Sequence, residues 1–184
     1  MNSSSSAKRT RKLLISREQI AETIKRMANQ IQEDYPADMP LLVGVLKGSF
    51  IFLADLVRQM QRPVEIDFIR LSSYGSDVKS SGSVRLRMGV SSLVKGKEIL
   101  VVEDIVDTGL TTAYASGYLR RKGASSVKLC TLLDKPSRRQ MPVTPDYLGF
   151  TVPNEFIVGY GLDFDQQYRH LPDIHVLESG THES

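Results

Sequence analysis

Residues 101–112 read Val-Val-Glu-Asp-Ile-Val-Asp-Thr-Gly-Leu-Thr-Thr, an apolar run that gives way to two adjacent carboxylates, a third acid and a Thr-Gly-x-Thr-Thr turn. Where such a turn opens a helix, backbone N–H groups converge on an anion, the helix N-terminus adds positive potential, and threonine hydroxyls add donors. The segment can therefore cradle a phosphate monoester. Glu103 and Asp104, just ahead of it, can accept hydrogen bonds from vicinal hydroxyls or help to hold a hydrated Mg²⁺. Two other phosphate signatures are missing: there is no Gly-x-x-x-x-Gly-Lys-Ser/Thr, and Gly159-Tyr160-Gly161 is followed by Phe164 where a dinucleotide loop needs its last glycine. Taken singly, Asp107 or Thr111 would read as a loop acid or a helix cap. Taken as one string, they read as a phosphate loop with acids beside it.

The elements that must position this loop follow from hydrophobic spacing. Ser16-x-x-Gln19 is a capping box, and Ile20, Ile24, Met27 and Ile31 recur at helical spacing behind it, which predicts an amphipathic helix ending before Pro36. Residues 41–46 are continuously apolar, the pattern of a strand covered on both faces, and 48–60 read as a helix. Residues 64–71 and 84–90 are extended and alternating, with a long polar loop, 72–83, between them. An apolar strand over 98–105 leads into the phosphate loop, a helix over about 111–121 stops at Gly123, and 127–133 form another apolar strand. Short strands are expected at 147–150, 156–159 and 174–177. Alternating strands and helices through 41–133 predict an α/β domain with a mostly parallel sheet, whose ligands sit at the C-terminal ends of the strands.

Composition agrees with one globular domain. The chain has 184 residues, 41% hydrophobic and 24% charged, near the average for folded domains and unlike collagen, coiled coil or disordered chains. No apolar run approaches the roughly 18 residues of a membrane span. The lone cysteine, Cys130, excludes an intrachain disulfide and a multi-cysteine metal site, and a cytoplasmic, reducing location is expected. The net charge of +3 is deceptive: Lys8, Arg9, Arg11, Lys12 and Arg17 lie in a segment without acids, so the rest of the chain carries −2. Residues 1–12 are expected to be a disordered basic arm, 13–178 the folded domain and 179–184 a flexible tail.

The string ending in Glu103-Asp104-Ile105-Val106-Asp107-Thr108-Gly109 resembles the phosphoribosyl pyrophosphate signature of type I phosphoribosyltransferases, in the form used by the hypoxanthine–guanine branch. Leu46-Lys47-Gly48-Ser49, Ser73-Tyr74-Gly75, Asp134-Lys135-Pro136, the block 156–163 and Tyr168-Arg169 match that branch in the same order. The resemblance covers about residues 13–178. It implies the type I fold, a twisted, mostly parallel sheet flanked by helices, with a small hood and a mobile lid hairpin.

The resemblance also implies roles. Asp107, Thr108, Gly109, Leu110 and Thr111 would surround the ribose 5-phosphate, with Glu103 and Asp104 facing the ribose hydroxyls. Leu110 stands where some relatives carry lysine, so only its backbone would serve the phosphate. Asp107 would also lie near N7 of the purine as general acid/base. Lys47, Gly48 and Arg169 would bind pyrophosphate, in a loop where the family often holds a non-proline cis peptide. Lys135 would donate to O6 of a 6-oxopurine, Phe156 would stack on the base, and Ile157 and Asp163 backbone groups would read its edge. Asp163 would join Glu103 and Asp104 as a Mg²⁺ ligand, and Ser73 and Tyr74 would close as the lid over an oxocarbenium-like centre.

The reaction so implied is Mg²⁺-dependent transfer of ribosyl 5-phosphate from phosphoribosyl pyrophosphate to N9 of hypoxanthine or guanine, a purine-salvage step. A homodimer or homotetramer is implied, and neither nucleic acid nor membrane is expected as a partner. The same fold also serves proteins that regulate nucleotide synthesis by binding RNA or DNA, and transferases selective for pyrimidines or xanthine. The basic cluster at 8–12 is the only sequence support for the first of these.

Overall fold

Ser16 starts the first helix as its neighbours dictate. Its hydroxyl accepts from the Gln19 N–H at 3.4 Å and the Gln19 carboxamide accepts from the Ser16 N–H at 2.9 Å, the reciprocal arrangement of a capping box. Helix α1 (Arg17–Asp34) then buries Ile20, Ile24, Met27, Ala28 and Ile31 along one stripe. The structure is a computed structural model and describes residues 10–73 and 84–178.

Strand β1 (Arg11–Ile15) precedes α1. After it come β2 (Leu41–Leu46), α2 (Phe50–Gln59), β3 (Ile66–Ser73), β4 (Val84–Met88), β5 (Glu98–Val106), α3 (Leu110–Arg121), β6 (Ser126–Asp134), β7 (Tyr147–Thr151), β8 (Ile157–Val158) and β9 (Ile174–Leu177). Six strands form one sheet in the order β4-β3-β2-β5-β6-β7, parallel throughout except for the antiparallel β3–β4 pair. Its faces explain the continuously apolar strands. Leu42 of β2 and Leu100 and Val102 of β5 pack with the buried stripe of α1 and with Phe52, Leu53 and Leu56 of α2. Leu41, Val43 and Val45, with Ile99 and Val101, pack on the other face with Ala115 and Leu119 of α3. A strand buried on both sides has no polar face to show.

A second, antiparallel sheet, β1-β9-β8, forms the hood from the two ends of the folded region. It corrects the expected boundary of the basic arm. Arg11 and Lys12 belong to β1, opposite Leu177 and Val176, because a partner strand from the far end of the chain supplies pairing that local composition does not reveal. Residues 1–9 and the tail over 179–184 lie outside the described residues. The strand expected over 156–159 shrinks to Ile157–Val158. Gly159, Tyr160 and Gly161 take φ of 100°, 49° and 96°, which ends the extended run.

Leu56 is fully buried in the layer that joins α1, α2 and the sheet. Leu56→Ala is expected to lower the unfolding free energy by about 2–5 kcal/mol, read as a fall in the urea midpoint at unchanged slope; a midpoint equal to the wild type would contradict its place in the core.

Candidate active site

Parallel strands deliver the loops that follow them to one edge of the sheet. Lys47 and Gly48 follow β2, Asp107 follows β5 and Lys135 follows β6. The Leu46–Lys47 peptide bond is cis. Behind it the Ser49 hydroxyl, fully buried, donates to the Val45 carbonyl at 2.7 Å and ties the turn into α2.

Backbone-to-side-chain contact joins these loops. A Cβ at Gly48 would lie 1.6 Å from Asp104 Oδ2, and one at Gly161 would lie 2.2 Å from the Gly48 carbonyl oxygen. Only glycine permits this approach at either place. Asp104 thus sits against the 47–48 turn, which in turn sits against the hood loop. Burial raises the Asp104 carboxyl to about 6, against the pull of the Ile105 and Asp104 N–H groups and of Arg169, with Asp163 adding to the rise. Glu103 is 5% exposed, and burial followed by the Asp104 charge raises its carboxyl well above the usual range. Adjacent strand residues project to opposite faces, so Glu103 does not join Asp104 against Gly48.

The turn after β5 has the shape that its composition predicts. Gly109 caps α3 with φ 81°, the Leu110 N–H donates to Thr108 Oγ1 at 3.4 Å, and the Gly109 carbonyl accepts from Ala113 at 2.9 Å. Thr111 is partly exposed at the helix start, while Thr112 turns into the core and offers no hydroxyl to a ligand. Arg138 Nε stands 3.3 Å from Asp107 Oδ1. That oxygen is buried and accepts no hydrogen bond among the described residues.

Lys135 is 5% exposed, with its Nζ donating to the Glu155 carbonyl at 2.8 Å. Burial lowers its pKa, and the negative charge of Asp107 works against that fall. Phe156, by contrast, is 50% exposed; its ring meets Phe164 edge-on at 5.1 Å, which leaves ring surface open to a flat ligand. Ile157 is buried in β8. Beyond it, Asp163 Oδ1 pairs with Arg169 Nη2 at 2.7 Å, its Oδ2 accepts from the Gln166 N–H at 2.9 Å, and Arg169 Nη1 donates to the Gly161 carbonyl at 2.7 Å. Lys47 Nζ reaches the same loop, donating to Gln166 Oε1 at 3.1 Å.

Asp104, Asp163 and Arg169 therefore form one electrostatic group beside Lys47 and Gly48, an assembly suited to a metal–phosphate ligand. Among the described residues no three His, Cys, Asp or Glu gather as a metal-binding cluster. The oxygen donors still fit Mg²⁺, which is commonly held by one or two carboxylates together with substrate phosphates and water. Ser73 is the last residue of β3; Tyr74 and the rest of the expected lid, through residue 83, lie outside the described residues.

Three contributors carry no sequence signal of their own, and a fourth, Gly161, carries one only as part of the matched block 156–163. Arg138 and Arg139 sit in a basic turn like many others, Gln166 is one of two adjacent glutamines, and Gly161 belongs to a Gly-x-Gly pair that fails as a dinucleotide motif. The close approach of Gly48 and Gly161 gives that pair its use.

The phosphoribosyl transferase domain family matches residues 15–165. The chain is 47% identical over 167 residues to a hypoxanthine-guanine phosphoribosyltransferase of Lactococcus lactis, with 91% of each chain covered. It is 43% identical over 173 residues to the protein of that name in Bacillus subtilis, with 94% of this chain and 96% of the relative covered. A crystal structure of a hypoxanthine-guanine phosphoribosyltransferase from Bacillus anthracis superposes with a TM-score of 0.85 at 44% identity, covering 90% of this chain and 98% of the other. With its parallel sheet, its hood and loops meeting at one strand edge, the chain belongs to the phosphoribosyl transferase domain family, among the hypoxanthine-guanine phosphoribosyltransferases.

Proposed function

We infer that this protein transfers the 5-phosphoribosyl group of phosphoribosyl pyrophosphate to N9 of hypoxanthine or guanine. The bond from the ribosyl carbon to the pyrophosphate oxygen breaks, the bond to N9 forms, and inosine or guanosine monophosphate leaves with pyrophosphate. The observation that carries the reading is the close approach of the Gly48 backbone to the Asp104 carboxylate and to Gly161, with the Asp163–Arg169 pair in the same hood loop and Lys135 within the field of Asp107.

Each role follows from the local chemistry. The start of α3, with Thr108, Gly109, the Leu110 backbone and Thr111, offers N–H and hydroxyl donors to the 5-phosphate. Lys47, Gly48 and Arg169 offer cationic and backbone donors to the leaving pyrophosphate, and the Arg169 fork suits two phosphate oxygens at once. Lys135 carries donors only, so it matches the O6 acceptor of a 6-oxopurine and mismatches the amino group of adenine. Its present partner, the Glu155 carbonyl, is the bond that a base would replace. Phe156 supports the ring, the Ile157 and Asp163 backbones read its edge, and Asp107 takes the N7 proton as N9 attacks. Mg²⁺, held by Asp104 or Asp163 with Glu103 near, would neutralise charge on the pyrophosphate.

Membership of the family supports the reading of a cytoplasmic enzyme that works as a homodimer or homotetramer. Light scattering at micromolar protein is expected to give at least twice the 20.6 kDa chain mass; a monomeric mass would contradict the assembly.

Asp107→Asn is expected to cut kcat with hypoxanthine about a hundredfold or more, while the KM for phosphoribosyl pyrophosphate changes little. Steady-state kinetics under matched substrate concentrations checks this. Full retained turnover would remove Asp107 as the proton acceptor.

A further inference from the structure

The loop after β6 is fastened to the phosphate loop at several points. Arg139 lies on it, its side chain only 17% exposed, and its guanidinium bonds in two directions. Nη2 binds the carboxylate of Asp134, the last residue of β6, and Nη1 donates to the Asp107 carbonyl oxygen at 3.0 Å. One residue on, the Gln140 and Met141 N–H groups both donate to the Thr108 carbonyl, at 2.9 and 3.1 Å. A Cβ at Gly109 would meet Arg139 Cδ and the Met141 carbonyl oxygen, each at 3.2 Å, so the arginine stem backs the turn as well.

These bonds act on peptide planes. A peptide unit is rigid, with its C=O and N–H directed oppositely. Holding the Asp107 carbonyl therefore aims the Thr108 N–H the other way, and holding the Thr108 carbonyl does the same for the Gly109 N–H. Two successive amides are thus directed together, the arrangement that makes an anion-binding concavity. An arginine fork can hold two acceptors in one plane, whereas an ammonium is a point charge that cannot span both in the same geometry.

We propose that Arg139, braced by Asp134, is a positioning residue that aims the backbone amides of the 107–109 turn at the 5-phosphate. The inference rests on the reading of that turn as the phosphate loop. Through Asp134 it also ties the turn to Lys135, so the strut links the base side of the site to the phosphate side.

The test compares Arg139→Lys, Asp134→Asn, their double variant and Thr111→Ala, measuring kcat, both KM values, calorimetric binding of inosine monophosphate and the melting temperature. Arg139→Lys and Asp134→Asn are each expected to raise the KM for phosphoribosyl pyrophosphate, and to weaken nucleotide binding, by about tenfold. The KM for hypoxanthine should move far less, and the double variant should be no worse than the poorer single, as for partners in one interaction. Values within about twofold of wild type in both single variants overturn the proposal, as does a lowered melting temperature with unchanged KM and nucleotide affinity. If Thr111→Ala alone raises the KM, the strut fails and the phosphate loop stands; if no variant moves it, the phosphate-loop reading fails too.

Discussion

Everything at this site depends on a close approach that side chains would forbid. The Gly48 backbone lies between the Asp104 carboxylate and Gly161, with less room on either side than a methyl group needs. That approach brings the end of β5, the turn after β2 and the hood loop within reach of one ligand. The Asp104 carboxyl there is shielded enough from water to raise its proton affinity, so a bound cation or donor would regain charge stabilisation that solvent supplies only in part. Gly161 serves the same contact from the hood, where positive φ at residues 159–161 turns the chain back towards Arg169.

The sheet supplies the rest of the precision. Because β2, β5 and β6 are parallel and buried on both faces, their C-terminal ends hold fixed relative positions, and short loops inherit them. Lys47, Asp107 and Lys135 stand there without long connections of their own. The hood comes from the opposite ends of the folded region, β1 and β9, and delivers Phe156, Asp163 and Arg169 from above. In the proposed reaction, base and pyrophosphate recognition would share a single loop system, and the ribosyl phosphate would be left to the start of α3.

Much of this was legible in the sequence wherever the determining interactions are local. The Ser16 and Gln19 cap, the helical stripe from Ile20 to Ile31 and the apolar run at 41–46 each depend on neighbours a few residues away, and each appears in the expected place. The Asp107–Thr111 turn is local too. β1 was hidden because Arg11 and Lys12 are polar and their partners lie near residue 177. Arg139 and Gln166 were hidden for a related reason: their importance lies in carbonyls and side chains brought close only by folding. Adjacency of Glu103 and Asp104 in the sequence does not show which faces the ligand side, since neighbours along a strand project to opposite sides of the sheet.

The most direct test of the central claim is product formation by the wild-type protein with Mg²⁺, phosphoribosyl pyrophosphate and, in parallel, hypoxanthine, guanine, xanthine, adenine or uracil. The site described here requires nucleotide from hypoxanthine or guanine, none from adenine, because Lys135 has only donors to offer at the position of O6, and none from uracil, which lacks the ring that carries N7 and N9. Turnover of adenine or uracil in preference to the 6-oxopurines, or no product from any base with folded protein, would contradict it.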